Sequence, residues 1–373
     1  GKGLTKAQAQ LAAIGEALER YAAVAWDTSR LHIGVAKEPA ITPPECVLYS
    51  DAQYDANRHF VRWTKETPTT WIDGISLPSG NPVDLPAALV YLVTPPQPED
   101  RFVAGTSTGL ATGQDLTHAL TGGLQEVIER DAFMITWLNR LPATRVQPPD
   151  RGSHAAAILR HYARFGVTLT LWSLYTDQAG YVMMAVADDP TERGVARMIG
   201  LGCDLDPARA LDKSVFELCQ LRPGMQDRMR QGQANDRLHH YEDVTSMEDH
   251  ALFHALPAQS AEFEFLQADG TTTSLDALPT KVGASPTDNL ALMVGQATQT
   301  GARVAYADIT PGDIMSLGLR VVRVIAPGLQ PLHFGWGQAR LGGNRLFQAP
   351  VDWGLRNAPL QISELNPCPH PLA

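Results

Sequence analysis

The pentapeptide pattern Glu-x-x-Glu-Arg occurs twice, in "GEALERY" (Gly15 to Tyr21) and in "QEVIERDAF" (Gln125 to Phe133). Both copies sit among small and apolar residues with helical spacing. On a helix, positions i, i+3 and i+4 share one face. Glu16, Glu19 and Arg20 therefore project together, and so do Glu126, Glu129 and Arg130. Such patterns are common on exposed helices as solvated faces with weak ion pairs. Apolar flanks argue against that here, because a buried carboxylate costs several kcal/mol unless it is paired or binds a cation. Repetition in the same setting points to two helices that share one ligand. Four carboxylates suit magnesium, which takes oxygen ligands and bridges them to phosphates, while the arginines suit the phosphate oxygens. A third run contributes Lys213, Glu217 and Gln220 on one helical face, with Arg222 off it, nearer the expected helix end.

The rest of the chain bounds the fold. Its 373 residues are 44% hydrophobic and 19% charged, a globular composition that supports a large core. The net charge of −10 and the lack of a basic, aromatic-interleaved patch argue against nucleic acid as a partner. No apolar run is long enough for a membrane span, and no signal peptide opens the chain, so a cytoplasmic protein is expected. Four scattered cysteines without a CxxC fit reduced thiols. Gly1 in place of Met allows for sequence upstream.

Helices are expected over Thr5 to Ala23, Leu116 to Leu138, Ala155 to Phe165, Pro207 to about Leu221, where Pro223-Gly224 ends it, and Asn289 to Thr300. Between Val47 and Pro95, short β-prone runs ("HFVRWT", "TWIDGISL", "ALVYLV") separated by Gly/Pro/Asn turns predict an antiparallel meander. Further strands are "VTLTLWSL", "YVMMAVAD", "ARMIGLGC", "VAYADIT" and "LRVVRVIAPG". Residues 225–285 read as polar and irregular, with a weak helix near Glu248. The fold class is α/β of the α+β kind, with mixed or antiparallel sheets. Regular βαβ alternation is missing, and so is a G-x-x-x-x-G-K-[ST] phosphate loop. His250 and His254, four apart, have no third metal ligand in the sequence and are expected on a surface helix; His239 and His240 are expected in solvent. Gly200 and Gly202 are read as glycines of a strand-to-turn junction.

Four segments, "GKGLTKAQAQLAAIGEALERYAA", "STGLATGQDLTHALTGGLQEVIERDA", "ARALDKSVFELCQLR" and "DITPGDIMSLGLRVVRVIAPGLQPL", resemble in order and spacing the signature segments of the YcaO family. The resemblance implies helices packed on β-sheets that hold ATP without a P-loop, with Glu16, Glu19, Glu126 and Glu129 as Mg2+ ligands. It implies nucleotide contacts from Lys6, Arg20, Gln114, Arg130, Lys213, Glu217, Gln220, Arg222 and Arg323. The family often has serine at Ala12, asparagine at Gln114, glutamate at His118 and arginine at Lys213. Family members that form azolines end in Pro-x-Pro-x-Pro, a pattern matched by Pro367, Pro369 and Pro371 ahead of Leu372 and Ala373. Residues 1–365 then form the YcaO domain and 366–373 its proline-rich tail.

The activity the resemblance implies is that of an ATP-dependent peptide cyclodehydratase. A Cys, Ser or Thr side chain attacks the preceding backbone carbonyl, the amide oxygen is phosphorylated, and a thiazoline or oxazoline remains. Neutralising charge at the γ-phosphate is then the protein's main task. The tail or His118 are the candidates for the base. Thioamide or macroamidine formation, or a non-catalytic scaffold subunit, are the alternatives. Implied partners are a precursor peptide, an E1-like or peptide-clamp protein that binds its leader, and a flavin dehydrogenase, in a homodimer or hetero-oligomeric synthetase.

Overall fold

The computed structural model describes residues 1–57, 59–93, 101–150, 152–191, 194–232 and 237–372. Eleven strands occur among them: β1 (Leu31–Gly34), β2 (Thr69–Ser76), β3 (Pro82–Pro86), β4 (Leu110–Gly113), β5 (Thr144–Val146), β6 (Thr168–Leu174), β7 (Tyr181–Asp188), β8 (Arg197–Asp204), β9 (Thr272–Thr273), β10 (Ala305–Asp308) and β11 (Arg320–Ile325). The α-helices are α1 (Lys6–Ala22), α2 (Asp51–Ala56), α3 (Ala87–Val90), α4 (Leu116–Asn139), α5 (His154–Ala163), α6 (Pro207–Arg230), α7 (Met247–His254), α8 (Pro286–Gln299), α9 (Gly312–Ser316) and α10 (Arg345–Asp352). The first sheet runs β1-β2-β10-β11-β4, with β3 also on β2, and all its ladders are antiparallel. The second runs β8-β7-β6-β5-β9, antiparallel except for the β5–β9 pair.

Helix α4 lies between the sheets. It packs on β4 and β11 of the first and on β8, β7 and β6 of the second. Every residue from Val127 to Asn139 is buried, including Glu129, Arg130 and Asp131. A helix apolar on all sides would simply fill a core; this one carries charge into it and needs partners there. Asp131 finds them in Nε and Nη2 of Arg345, both at 2.7 Å, and in the Gln330 amide, also at 2.7 Å. Helix α6 packs chiefly on β8 and β7 of the second sheet. Gly200 and Gly202 of β8 permit that approach: a Cβ on either would come within 2.2 Å of an α6 carbonyl oxygen. Close helix packing, rather than a strand-to-turn junction, is their role.

Helix α1 starts at a reciprocal cap, with Thr5 Oγ1 accepting from the Gln8 amide and the Gln8 side chain accepting from the Thr5 amide. Its apolar stripe does not face the core: Leu11 and Ile14 are 68% and 55% exposed. Of the charged face, Glu19 is half-buried while Glu16 and Arg20 are exposed where they line the cavity, and Thr112 of β4 holds the helix by donating to the Gly15 carbonyl at 3.0 Å.

Other expectations are corrected. "HFVRWT" forms no strand, and within "ALVYLV" residues up to Val90 belong to the short helix α3. Of "PSGNPVD", one of the Gly/Pro/Asn stretches expected as a turn, Pro82 onward is instead the start of β3, whose register with β2 buries Val83 and Leu85. Proline at 223 does not end α6, which continues to Arg230. The lost amide donor costs one hydrogen bond, and burial of Arg222 and Met225 on either side holds the helix through it. Residues 225–285 are less polar in space than in sequence, since Leu238, Val244, Phe253, Phe263 and Leu266 join the main core.

Candidate active site

A cavity of about 730 Å³ opens between α1, α4 and α6. Glu16, Glu19 and Arg20 line it from α1 and Glu126, Glu129 and Arg130 from α4; Lys213, Glu217 and Gln220 close it from α6. Helical spacing within each segment sets which side chains point inward, and the packing of α4 against both sheets brings the three faces together.

Arg130 is the centre of this arrangement. Its guanidinium lies 3.3 Å from Glu129, 3.6 Å from Glu126 and 4.0 Å from Glu217. It is buried, yet its Nε and Nη1 atoms make no hydrogen bond within the described residues. The carboxylates are partly held by backbone: Glu126 accepts from the Gly109 amide at 3.1 Å and Glu217 from the Leu201 amide at 2.6 Å. Lys213 is tied to Gln125, to the Cys203 carbonyl and to Asp204, each at 2.8 Å. That clamp fixes α6 against α4 and pairs the Lys213 charge with Asp204 at the cavity wall.

Negative charge exceeds what these cations balance. Burial, and then the Glu126 charge, push the Glu19 carboxyl up to about 8. Burial pushes Glu129 up to about 7, with Glu217 and Glu126 adding to the rise and Arg130 opposing it. Two acids that resist ionisation beside unsatisfied arginine donors mark a site completed by a ligand carrying both a cation and oxyanions. Among the described residues no three acidic, imidazole or thiol groups converge closely enough to hold a metal alone. Magnesium does not require that, because it commonly takes one or two carboxylates and completes its shell with water and substrate phosphates. The donor set therefore fits a magnesium–nucleotide pair.

The profile of the YcaO family, described as YcaO cyclodehydratase, ATP- and Mg2+-binding, matches residues 1–330. The chain belongs to the YcaO family. An uncharacterized protein of Methanothermobacter thermautotrophicus is 28% identical over 344 residues, covering 88% of this chain and 81% of its own. The fold matches a heterocyclase solved in complex with substrate and cofactor, at a TM-score of 0.84 and 25% identity over 100% of this chain and 49% of the other. It also matches the YcaO protein of Methanopyrus kandleri bound with AMPPCP and Mg2+, at a TM-score of 0.66 and 22% identity over 88% of this chain and 78% of that one. The chain thus spans about half the length of the substrate-bound heterocyclase it matches.

Within this YcaO fold the remaining sequence-derived residues fall in several places. Lys6 and Arg20 are exposed on α1, with Arg20 in the cavity wall and Lys6 outside it. Gln114 and His118 lie exposed at the start of α4, away from the cavity lining, where His118 Nδ1 sits 2.7 Å from the Asp115 carboxylate. Arg222 is buried behind α6, donating to the Val195 carbonyl at 3.0 Å and to Asp189 at 2.7 Å. Arg323 lies on β11 and feels Glu126 and Glu19 through space. Sequence reasoning passed over Lys2, Gln125 and Arg228, which also line the cavity; Lys2 stands in the "GKG" opening of the first signature segment.

The tail is not a free end. Residues 368–372 are buried. Trp137 Nε1 donates to the Cys368 carbonyl at 2.9 Å, His254 Nε2 to that of Pro369 at 2.6 Å and His250 Nδ1 to that of His370 at 2.8 Å. His250 and His254, expected on a surface helix, are fully buried and hold the tail by its backbone. Burial pulls His250 down to about 4 and His254 to about 3, so both are neutral latches. His370 packs on Phe334, a residue of the cavity lining, which connects the tail to the site. Ala373 lies outside the described residues, as does any role for its carboxylate.

Proposed function

We propose that this YcaO protein is an ATP-dependent peptide cyclodehydratase that converts Cys, Ser or Thr of a ribosomally made precursor into thiazolines or oxazolines. The observation that carries the reading is the convergence of Glu126, Glu129 and Glu217 around Arg130 in one cavity that Glu19 also lines. The likeness to a substrate-bound heterocyclase over the whole chain supports the heterocycle-forming branch. When bound, Mg-ATP supplies the phosphoryl group that makes the amide oxygen a leaving group.

The chain's own residues divide the work. Glu16, Glu19, Glu126 and Glu129 would supply the magnesium ligands, one or two to an ion with water and phosphate completing its shell, and Arg20 and Arg130, with the clamped Lys213 beside them, would face the phosphates. The buried guanidinium of Arg130 is fixed by two α4 carboxylates, so it stabilises developing negative charge without reorganising. Glu217 and Gln220 hold the opposite wall. The Pro367–Leu372 tail, pinned by His250, His254 and Trp137, backs Phe334 of the cavity lining through His370 and would thereby help to position the peptide. A leader-binding partner protein is expected to deliver the precursor, with a flavin dehydrogenase acting on the azolines afterwards.

Mass spectrometry of candidate precursors from the same gene neighbourhood, incubated with Mg-ATP and the leader-binding partner, tests this reading. Loss of one water per Cys, Ser or Thr, with phosphate release, is expected. Replacement of oxygen by sulfur, or one water lost in a macrocycle, would move the protein to another YcaO chemistry. An absence of nucleotide binding would make it a scaffold.

A further inference from the structure

A second, smaller pocket of about 70 Å³ lies behind β11, beneath α3 and the 104–108 loop. It has room for about two water molecules' worth of volume, too little for a nucleotide. Its lining is mainly apolar, yet two arginines reach it, Arg323 from β11 and Arg340 from the segment before α10. They are only 7% and 3% exposed. Each makes one hydrogen bond to a backbone carbonyl, Arg323 to Thr106 at 2.8 Å and Arg340 to Ala104 at 2.6 Å. Neither belongs to an ion pair among the described residues, and the Nε atoms of both lack a partner. The hydroxyl of Thr108, also in the lining, is a third buried group without a partner.

Two buried guanidiniums without a carboxylate are expensive, because one carbonyl acceptor each, and for Arg340 the Tyr49 ring 5.5 Å away, repay only part of the desolvation. Burial accordingly pulls Arg323 down to about 10 and lowers Arg340 as well. The groups acting on Arg340 are two phenols and a thiol, Tyr49, Tyr54 and Cys46. Glu126 and Glu19 act on Arg323 only through space. The pocket reaches solvent at Gly105, which is exposed.

We infer that this pocket is an oxyanion site, in which Arg323, Arg340 and Thr108 bind one small phosphate or carboxylate group apart from the glutamate cavity. Guanidinium forks match both anions bidentately. The shared chemistry has two sources, inorganic phosphate or the carboxylate of a peptide, and the site does not depend on which reaction the glutamate cavity performs.

Thermal shift of the whole protein, saturated with a non-hydrolysable ATP analogue and Mg2+, distinguishes these. Sodium phosphate and sodium acetate are titrated against sodium chloride at matched ionic strength. A saturable rise in Tm of several degrees with phosphate names phosphate; a rise with acetate alone names a carboxylate. Arg340→Met should weaken that response at least tenfold while retaining analogue binding. It should also be no less stable than wild type in anion-free buffer, because it removes an unpaired buried charge. Should that variant not fold, 31P line broadening of phosphate by the wild-type protein gives the same answer. No response to either anion beyond chloride overturns the assignment. So does an undiminished response in Arg340→Met, or complete displacement of phosphate by the analogue.

Discussion

The guanidinium of Arg130 stands 3.3 Å from the carboxylate of Glu129, the residue before it, in the buried middle of α4. Adjacent helical residues rarely face one another, and here both side chains turn toward Glu217 on α6. Arg130→Met is predicted to lower stability by about 3 to 5 kcal/mol, the usual effect of removing one partner from a buried charge cluster. Calorimetry should also show Mg-ATP affinity reduced by about two orders of magnitude or more, since charge-assisted contacts to phosphate are lost. Retained affinity would remove Arg130 from the nucleotide site.

Glu19 gives a pH signature. Its carboxyl is raised from 4.5 to about 8, so the folded protein holds a proton that the unfolded chain releases above 4.5. Its stabilising contribution is complete below about 4.5 and is lost as pH rises to about 8. Glu19→Gln should be more stable than wild type at pH 8 and should flatten this slope in denaturant titrations, while weakening Mg-ATP binding. Binding of Mg-ATP by wild type at pH 7 should release protons, visible as a buffer-dependent calorimetric enthalpy.

The tail latch has the opposite slope. His250 and His254 are depressed from 6.5 to about 4 and 3, so the unfolded chain takes up protons first as pH falls. Stability from these groups is present above about 6.5 and is lost toward pH 4. His250 accepts from the Gly335 amide and donates to the His370 carbonyl, both at 2.8 Å. Asparagine can keep the donation to the His370 carbonyl without titrating, at the cost of the Gly335 bond. His250→Asn should therefore diminish acid destabilisation between pH 6.5 and 4, measured by thermal melts.

Trp137→Phe removes the donor to the Cys368 carbonyl. The expected loss is about 1 to 3 kcal/mol, the penalty for a buried acceptor left bare. Peptide processing should fall further than nucleotide binding, because α1 and the cavity face of α4 are untouched. Equal loss of both would show that the tail only supports the fold.

Gly109→Ala tests the support of Glu126. Gly109 has φ +85° and donates its amide to Glu126, and an added Cβ would lie 2.2 Å from the Val324 carbonyl oxygen. Strain of about 1 to 3 kcal/mol is expected from the backbone alone. A lower Tm with weakened Mg-ATP affinity is the expected pair of readouts.

Much of this was legible from residue spacing. The doubled Glu-x-x-Glu-Arg placed charges on shared helix faces, and apolar β-prone runs marked β6, β7 and β8. What spacing misread were matters of orientation and tertiary partners. The apolar stripe of α1 predicts an inward face, yet Leu11 and Ile14 are exposed and it is Glu19 that turns toward the cavity and β4. His250 and His254 looked like surface residues, since their partners stand more than a hundred positions later in the tail. Pro223 signalled a stop that the flanking burial of Arg222 and Met225 overrides. Arg222 shares the helix of Glu217 but points to Asp189, a partner no local pattern announces.

The site's acidic walls are mounted unequally. Helix α1 rests on β4 and β11, α6 on β8 and β7, and α4 on both groups. A small rotation of one sheet relative to the other would carry Glu19 and Glu217 apart while Glu129 and Arg130 stayed on the axle between them. The width of the cavity is thereby set by how the two sheets sit on α4, so a substitution at either sheet's contact with that helix would reach the glutamates without touching them.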